Sequence, residues 1–421
     1  MKRYKVAKYV ALAIVVALIG AACGDDGDSS TPGAATGECD PSKPAIKVGN
    51  VTTAQNYAGM EDAIVARIER ENKTCIGGRK LEFVGSRDDA GDIQKNLDGA
   101  KDLVENNGAN LLLITSDRNV QTNAYLATAK VPYFGWGFMP GFCGDDAWGM
   151  GVQGCLSGFA FNKLGAVKLD NPPLSGGFVE AHQAITGKKD YTLVVLQEDS
   201  DAGRAGGALY DQLFAKDKVL LANEYVAAKA DGSIDPAVLT RYVQLVNDKK
   251  PDMVMLSTPF SMAISISVAL KTSGYTGAIQ NFVSYAPGLL ESSADLAAAF
   301  EGTYTITQYP PIEDGGGDAI KADLAAAGKP DFVTLGAMIG WWNTDLAIAM
   351  AKEVDGDITG EAIRKVALDG FTYEPDNGPQ VKYPQDFSAP GGGPCRAVVK
   401  VEAKAYKLVD SYKCFATVPS K

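Results

Sequence analysis

One histidine, His182, stands in 421 residues. With a single imidazole, His-rich zinc sites and most Ser-His-Asp designs lose their parts. Basic residues are also few: 40 Lys and Arg face 51 Asp and Glu, a net charge of −11. Residues 1–22 hold Lys2, Arg3, Lys5 and Lys8 and no acid, so the rest of the chain stands at −15. That sign repels a phosphate backbone and argues against nucleic acid as a partner. Past the N-terminus no apolar run is long and uninterrupted enough to span a bilayer. What remains, 46% hydrophobic and 22% charged with 46 Gly and 20 Pro, is an ordinary globular balance. It excludes disordered and collagen-like chains, and the length suits two or three domain-sized units.

The N-terminus is basic over 1–8, apolar over 10–19, and then runs Ile19-Gly20-Ala21-Ala22-Cys23. A basic start, a short apolar stretch and small residues make a secretory signal, expected over 1–22. Small residues directly before a cysteine resemble the lipobox of bacterial lipoproteins, in which that cysteine is acylated and becomes the first residue. The resemblance implies a lipid on Cys23, with the plain cleaved signal as the alternative. Residues 23–44 follow as a flexible tether, with GDDGDSSTPGAATG at 24–37. The body is expected outside the cytoplasm, held to the cell membrane by the lipid alone.

Six further cysteines remain: Cys39, Cys75, Cys143, Cys155, Cys395 and Cys414. An even number in an exported chain argues for disulfides, although six allow fifteen pairings. Position favours the sequential set. Cys39 precedes the first strand and Cys75 follows the first helix, which returns the chain to that strand's start. Cys143 and Cys155 would staple a Gly-rich loop, and Cys395 and Cys414 two adjacent terminal segments.

The body alternates strand and helix. Residues 46–51, 81–84, 109–115 and 131–135 read as strands, the third (ANLLLIT) as a buried parallel one. Helical spacing separates them over 56–72, 93–106 and 119–130. A loop over 137–158 breaks the rhythm. A second series then places strands at 192–196, 219–226, 253–256 and 278–283, with helices at 178–186, 204–216, 236–247 and 263–272. After a crossing near 303–311 come helices at 318–327 and 338–354, a short strand at 332–334, and terminal strands at 397–401 and 405–412. The fold class is α/β, two doubly wound lobes with mostly parallel sheets. Lobe 1 is expected over 45–158 and 313–370, and lobe 2 over 169–302 and 381–421. Hinge crossings are expected at 159–168, 303–312 and 371–380. In such sheets a small ligand sits beyond the carboxyl ends of the strands, here in a cleft between lobes.

The order and spacing of several segments carry a family resemblance. They are IKVGNVTTAQNYAG (46–59), LEFVGSRDDAGD (81–92), LLLITSDRNVQTNA (111–124) and VPYFGWG (131–137), then YTLVVLQEDSDAGRAGG (191–207), PDMVMLSTPFS (251–261) and FVSYAPGLL (282–290). The chain resembles the extracytoplasmic solute-binding proteins of ABC importers with the type I periplasmic-binding fold, in the Leu/Ile/Val (branched-chain amino acid)-binding branch.

That resemblance implies a monomer that closes on a small solute and presents it to a membrane permease with ATPase subunits. It implies no cofactor. It places Ser116 and Asp117 at a loop holding a ligand carboxylate, where Ser116 is equally placed to cap the next helix. Tyr57 lines the cleft or packs at a helix start. Trp136 and Gly137 depart from the family's small residues and hydroxyl, offering a flat apolar surface or packing under the 143–155 loop. Asp199 and Asp201 lie near the hinge, where a carboxylate would meet an ammonium or stay solvated. Tyr285 stands where amino-acid binders place an acidic amine anchor, so the solute is read as an amino acid or a related carboxylate or amide, with a carboxylated, amide or aromatic compound favoured over leucine. Trp341 and Trp342 begin a helix at the rim of lobe 1, where one covers the ligand and the other packs in the core.

Catalysis finds little support. Neither Ser116 nor Ser200 has a histidine near it in sequence, Gly203-Arg204-Ala205-Gly206-Gly207 lacks the Walker lysine pattern, and no Cys/His spacing suits a metal. A lipoprotein sensor without transport is the second reading and an extracellular hydrolase the third. The N-terminal reading predicts that Cys23→Ser moves the protein from the membrane to the soluble fraction. Cell fractionation checks it, and unchanged membrane retention would remove the anchor.

Overall fold

The computed structural model describes residues 39–116, 118–136, 140–142, 147–152, 177–215, 217–229, 232–281, 285, 288, 290, 293–330, 333–384 and 395–415. Cys23, Asp117, Gly137, Cys143, Cys155 and the crossing at 159–168 lie outside them.

Apolar strands shielded on both faces build the first sheet. Strands β1 (Ile46–Thr52), β2 (Leu81–Asp88), β3 (Leu111–Thr115), β4 (Tyr133–Gly135) and β5 (Gly149–Met150) are all parallel, in the order β2-β1-β3-β4-β5. Every residue of β3 is buried, as a central strand with two covered faces requires. Helices α1 (Met60–Glu71), α2 (Ile93–Lys101) and α3 (Val120–Ala129) connect them. Asp92 starts α2 by accepting the Lys95 N–H at 2.8 Å.

The second sheet begins after α4 (Phe178–Thr186). It holds β6 (Leu193–Glu198), β7 (Leu220–Val226), β8 (Met253–Ser257), β9 (Ala278–Asn281), β10 (Tyr304–Thr307), β13 (Cys395–Glu402) and β14 (Ala405–Cys414). The order is β14-β13-β10-β9-β8-β6-β7, with β6 to β10 parallel and the β13–β14 hairpin antiparallel. Helices α5 (Asp201–Leu213), α6 (Pro236–Lys249), α7 (Phe260–Thr272) and α8 (Ala294–Phe300) lie between its strands. Both faces are covered: Phe178, Tyr210 and Phe214 pack on one, Tyr242, Val246 and Ile266 on the other.

The chain then returns to the first sheet. Helices α9 (Asp318–Ala326), α10 (Leu335–Lys352) and α11 (Gly360–Leu368) follow, and the two-stranded antiparallel pair β11 (Thr372–Tyr373) and β12 (Val381–Lys382) precedes β13. Helix α10 meets α1 through glycines. A Cβ at Gly340 would stand 2.7 Å from the Met60 carbonyl oxygen, and one at Gly336 2.5 Å from that of Ala58. Beneath this contact Arg67 is buried between Asp345, 2.6 Å away, and Glu71, 3.1 Å away. The core under α1 and α10 runs on to Phe300, Val399 and Tyr406 beside the second sheet.

Two expectations change. The segment 303–312 is not wholly a crossing, because Tyr304–Thr307 pairs with β9 and β13 inside the second sheet; only 308–312 leads out. Of the strand expected at 332–334, position 332 lies outside the described residues; Thr334 caps α10 by accepting the Ala337 N–H at 3.0 Å, and Val333 belongs to no strand. Cys39–Cys75 and Cys395–Cys414 are disulfides, the second joining residues opposite each other in the β13–β14 register. No helix of the described residues is long and apolar enough to cross a membrane.

The one histidine lies inside the second body. His182 is fully buried and its Nδ1 is 3.0 Å from the Tyr191 hydroxyl. Burial first, and then the Arg396 charge, lowers its pKa from 6.5 to about 3. The unfolded chain therefore takes the proton first. This contribution to stability is complete above 6.5 and is lost as pH falls from there toward about 3. His182→Gln should make the loss shallower by about 1.4 kcal/mol per pH unit between about pH 6 and pH 4, read from urea unfolding. Parallel curves for the two proteins would refute it.

Candidate ligand-binding site

Because β2, β1, β3 and β4 are parallel neighbours, their carboxyl ends lie together. The chain leaves them at Asp89, Thr53, Ser116 and Trp136. Asp89 is fully buried and joins three of these exits. Its Oδ1 accepts the Thr53 hydroxyl and the Gly91 N–H, each at 2.8 Å. Its Oδ2 accepts Asn96 Nδ2 at 2.8 Å and the Ser116 hydroxyl. The proton of Ser116 is thereby engaged, while its oxygen accepts the Arg118 N–H at 3.0 Å. Ser116 thus shapes the loop before α3, which is its capping-like role, and has no hydrogen left to donate to a ligand. Asp89 drew no notice in the sequence; its signal was only the acidic pair inside RDDAGD.

An aromatic corner stands beside this floor. Tyr57 and Trp136, buried at 8% and 7% exposure, meet edge to face with ring centroids 5.8 Å apart. Trp136 donates its indole N–H to Gln308 Oε1 at 2.8 Å, where the chain leaves β10. Both residues were expected at the cleft, and the fold brings them together. They offer an apolar edge with fixed orientation, which suits a flat or aliphatic ligand body.

The second sheet presents the ends of β6 and β7 to the same region. Arg118, from the exit of β3, donates Nε to the Gly91 carbonyl at 2.9 Å and reaches Glu198 Oε1 at the end of β6, also at 2.9 Å. Gln55 lies beside Gly232, whose Cβ, if present, would be 3.7 Å from the Gln55 Nε2. Asp199 is turned to Arg204, 2.5 Å away. Ser200 caps α5 by accepting the Gly203 N–H at 3.1 Å, and Asp201 is the first residue of that helix.

Two expected contacts are placed elsewhere. Trp341 is in the middle of α10, buried, with its indole N–H donating to Asp323 at 2.8 Å and Arg67 and Arg70 over its ring. It packs under α1 and does not reach the strand ends. Tyr285 is 1% exposed; its hydroxyl donates to Glu313 Oε2 and accepts the Ile312 N–H, both at 2.7 Å, and its ring packs on Tyr406. Burial, with the Glu313 charge beside it, pushes the phenol well above its usual 10, so it stays protonated and donating. Its position ties the loop after β9 to the segment leaving the second sheet. Among the described residues, no group of three or more His, Cys, Asp or Glu side chains is placed to hold a metal.

Known proteins share this fold. A sequence profile described as periplasmic binding protein matches residues 47–405. The chain belongs to the periplasmic binding protein family. Solved structures of similar fold include a fatty acid ABC transporter substrate-binding protein from Thermomonospora curvata. It is 18% identical, with a TM-score of 0.68, over 88% of this chain and 92% of that one. A branched-chain amino acid ABC transporter protein from Thermus thermophilus with bound valine is 14% identical, TM-score 0.65, over 89% and 97%. A solute-binding protein of an ABC transporter from Rhodopseudomonas palustris BisB5, in complex with 3,4-dihydroxybenzoic acid, is 16% identical, TM-score 0.62, over 89% and 98%. The search of curated protein sequences returned no match. Family membership places this periplasmic binding protein outside the cytoplasm.

The placement of Tyr285 predicts a structural role. Tyr285→Phe strands the Ile312 N–H and a Glu313 oxygen and should cost about 1–3 kcal/mol of unfolding free energy. Denaturant titration measures it. Unchanged stability together with weakened solute binding would return Tyr285 to the ligand.

Proposed function

We propose that this periplasmic binding protein is the solute receptor of an ABC importer. It takes a small carboxylate or amide with an apolar, aromatic-compatible body and presents it to the permease and its ATPase subunits. The observation that carries the solute class is the Tyr57–Trp136 corner, set at the strand ends beside Asp89 and Arg118. An edge-to-face aromatic pair gives a planar or aliphatic body a defined surface. The similar proteins include one of a fatty acid transporter, one in complex with 3,4-dihydroxybenzoic acid and one with bound valine, which supports the same class, a carboxylate on an apolar body. Tyr57 and Trp136 are the ligand contacts of this reading, with Gly137 and the Ser116-Asp117 loop beside them. Asp199 and Asp201 border the second side. Cys23 carries the lipid that holds the protein to the cell membrane, and the protein works as a monomer.

Solute binding to the folded state alone must raise the melting temperature in proportion to the logarithm of solute concentration. Benzoate, a medium-chain fatty acid and valine are the first probes, and at least one of the first two should stabilise the protein more than valine does. Trp136→Leu should weaken that solute about tenfold, or about 1.4 kcal/mol, by calorimetry. No stabilisation by any member of a broad panel of small carboxylates and amides would reject the reading, and tight valine binding indifferent to Trp136 would reject the solute class.

A further inference from the structure

We propose that Arg118 and Glu198 form a latch that holds the facing ends of the two sheets together before any solute arrives. The two residues come from different sheets, Arg118 from the exit of β3 and Glu198 from the last position of β6. Their charged atoms stand 2.9 Å apart. The reach is aimed. Arg118 Nε is held by the Gly91 carbonyl at 2.9 Å, so one edge of the guanidinium is fixed on the first body while Nη2 points to the second. Such a planar fork, fixed on one side, loses little further freedom when the other side engages. The Arg118 backbone N–H is also pinned, by Ser116 Oγ, and through it the loop is tied to buried Asp89. The anchor of the latch is therefore the rigid floor and not a loose loop.

The side chains are 20% and 15% exposed, so water screens this pair less than the exposed pairs elsewhere, such as Lys365–Asp369 at 72% and 61%. The half-buried Arg118 guanidinium reaching across to the Glu198 carboxylate adds a charge-assisted attraction between the two edges. The closed arrangement then needs no solute to exist, and a solute has only to add to a closure that is already populated. Gln55 beside Gly232 shows a second close approach of the same two edges, where no charge is involved.

The test needs no solute, so it is independent of whether the importer reading or the solute class is right. Spin labels carried on encoded ketone side chains at Lys95 and Ala237, exposed residues in the first turns of α2 and α6, report the separation of the two edges in the full chain. The wild type should give one narrow short distance without solute. Glu198→Arg and Arg118→Glu should each lower the closed-to-open ratio about tenfold, about 1.4 kcal/mol, and the double reversal should restore the short distance. Glu198→Gln, which keeps the side chain's size, should give a partial opening and guards against a folding defect in the reversals. A single variant that keeps the wild-type distance, or a double reversal that stays open, would overturn the latch.

Discussion

Asp89 is sealed from water and accepts four hydrogen bonds, all from neutral groups: Thr53, Gly91 and Ser116 on three strand exits, and Asn96 on α2. An unshared carboxylate in that position would cost several kcal/mol, so the loops have little choice but to close around it. Much else on the first wall follows. Thr53 is held where β1 ends, which fixes the start of the loop carrying Tyr57. Ser116 is held where β3 ends, which sets the direction in which Arg118 leaves. A wall assembled in this way is rigid before a ligand meets it, and rigidity at a binding surface lowers the cost of ordering it later.

The second side is organised differently. Its nearest charged groups engage within or across the cleft, Asp199 with Arg204 and Glu198 with Arg118. Among the described residues the chain leaves the second sheet through 308–312, with the Tyr285–Glu313 contact beside it, and returns to it after β11 and β12. The first wall thus sets shape while the second side and its connections set approach. The same division explains why a buried tyrosine sits near the connection: a phenol with both hydrogen-bonding roles filled holds two segments in register without a charge.

Much of the fold was legible in the residues. The continuous run LLLIT announced a doubly covered strand. Helical spacing placed the helices that start after Asp92 and Asp235, while the one expected from 204 begins at Asp201, behind the Ser200 cap. The pairings of Cys39 with Cys75 and of Cys395 with Cys414 followed from element order. Tyr57 and Trp136 could each be placed after a strand of one parallel sheet, but nothing local showed that their rings would meet. The misses have physical reasons. The segment YTIT of β10 is too short and too balanced to announce its place between β9 and β13, which its hydrogen-bond partners decide. Helix α8 rests on the Ser293 cap and an alanine-rich turn with little apolar period to read, whereas α11, behind the Thr359 cap, carries Ile363, Val366 and Ala367 at helical spacing and was legible. Trp341 looked like a rim aromatic because nothing local shows that Asp323, on another helix, would receive its indole N–H. The partners of Tyr285, Asp89 and Arg118 are 28, 27 and 80 residues away, and no local pattern encodes such pairings.

The Cys39–Cys75 bond has a mechanical meaning. Residues 39–43 are strapped along the turn after α1 by the Asp40 N–H on the Gly78 carbonyl and by Lys43 on the Gly77 carbonyl, each at 2.8 Å. Tension applied from the N-terminal side therefore enters the molecule at a covalent crosslink, before it can reach Ile46. The load is passed to the α1–β2 turn, and β1, the strand on which two neighbours hang, is spared from being peeled out of its sheet.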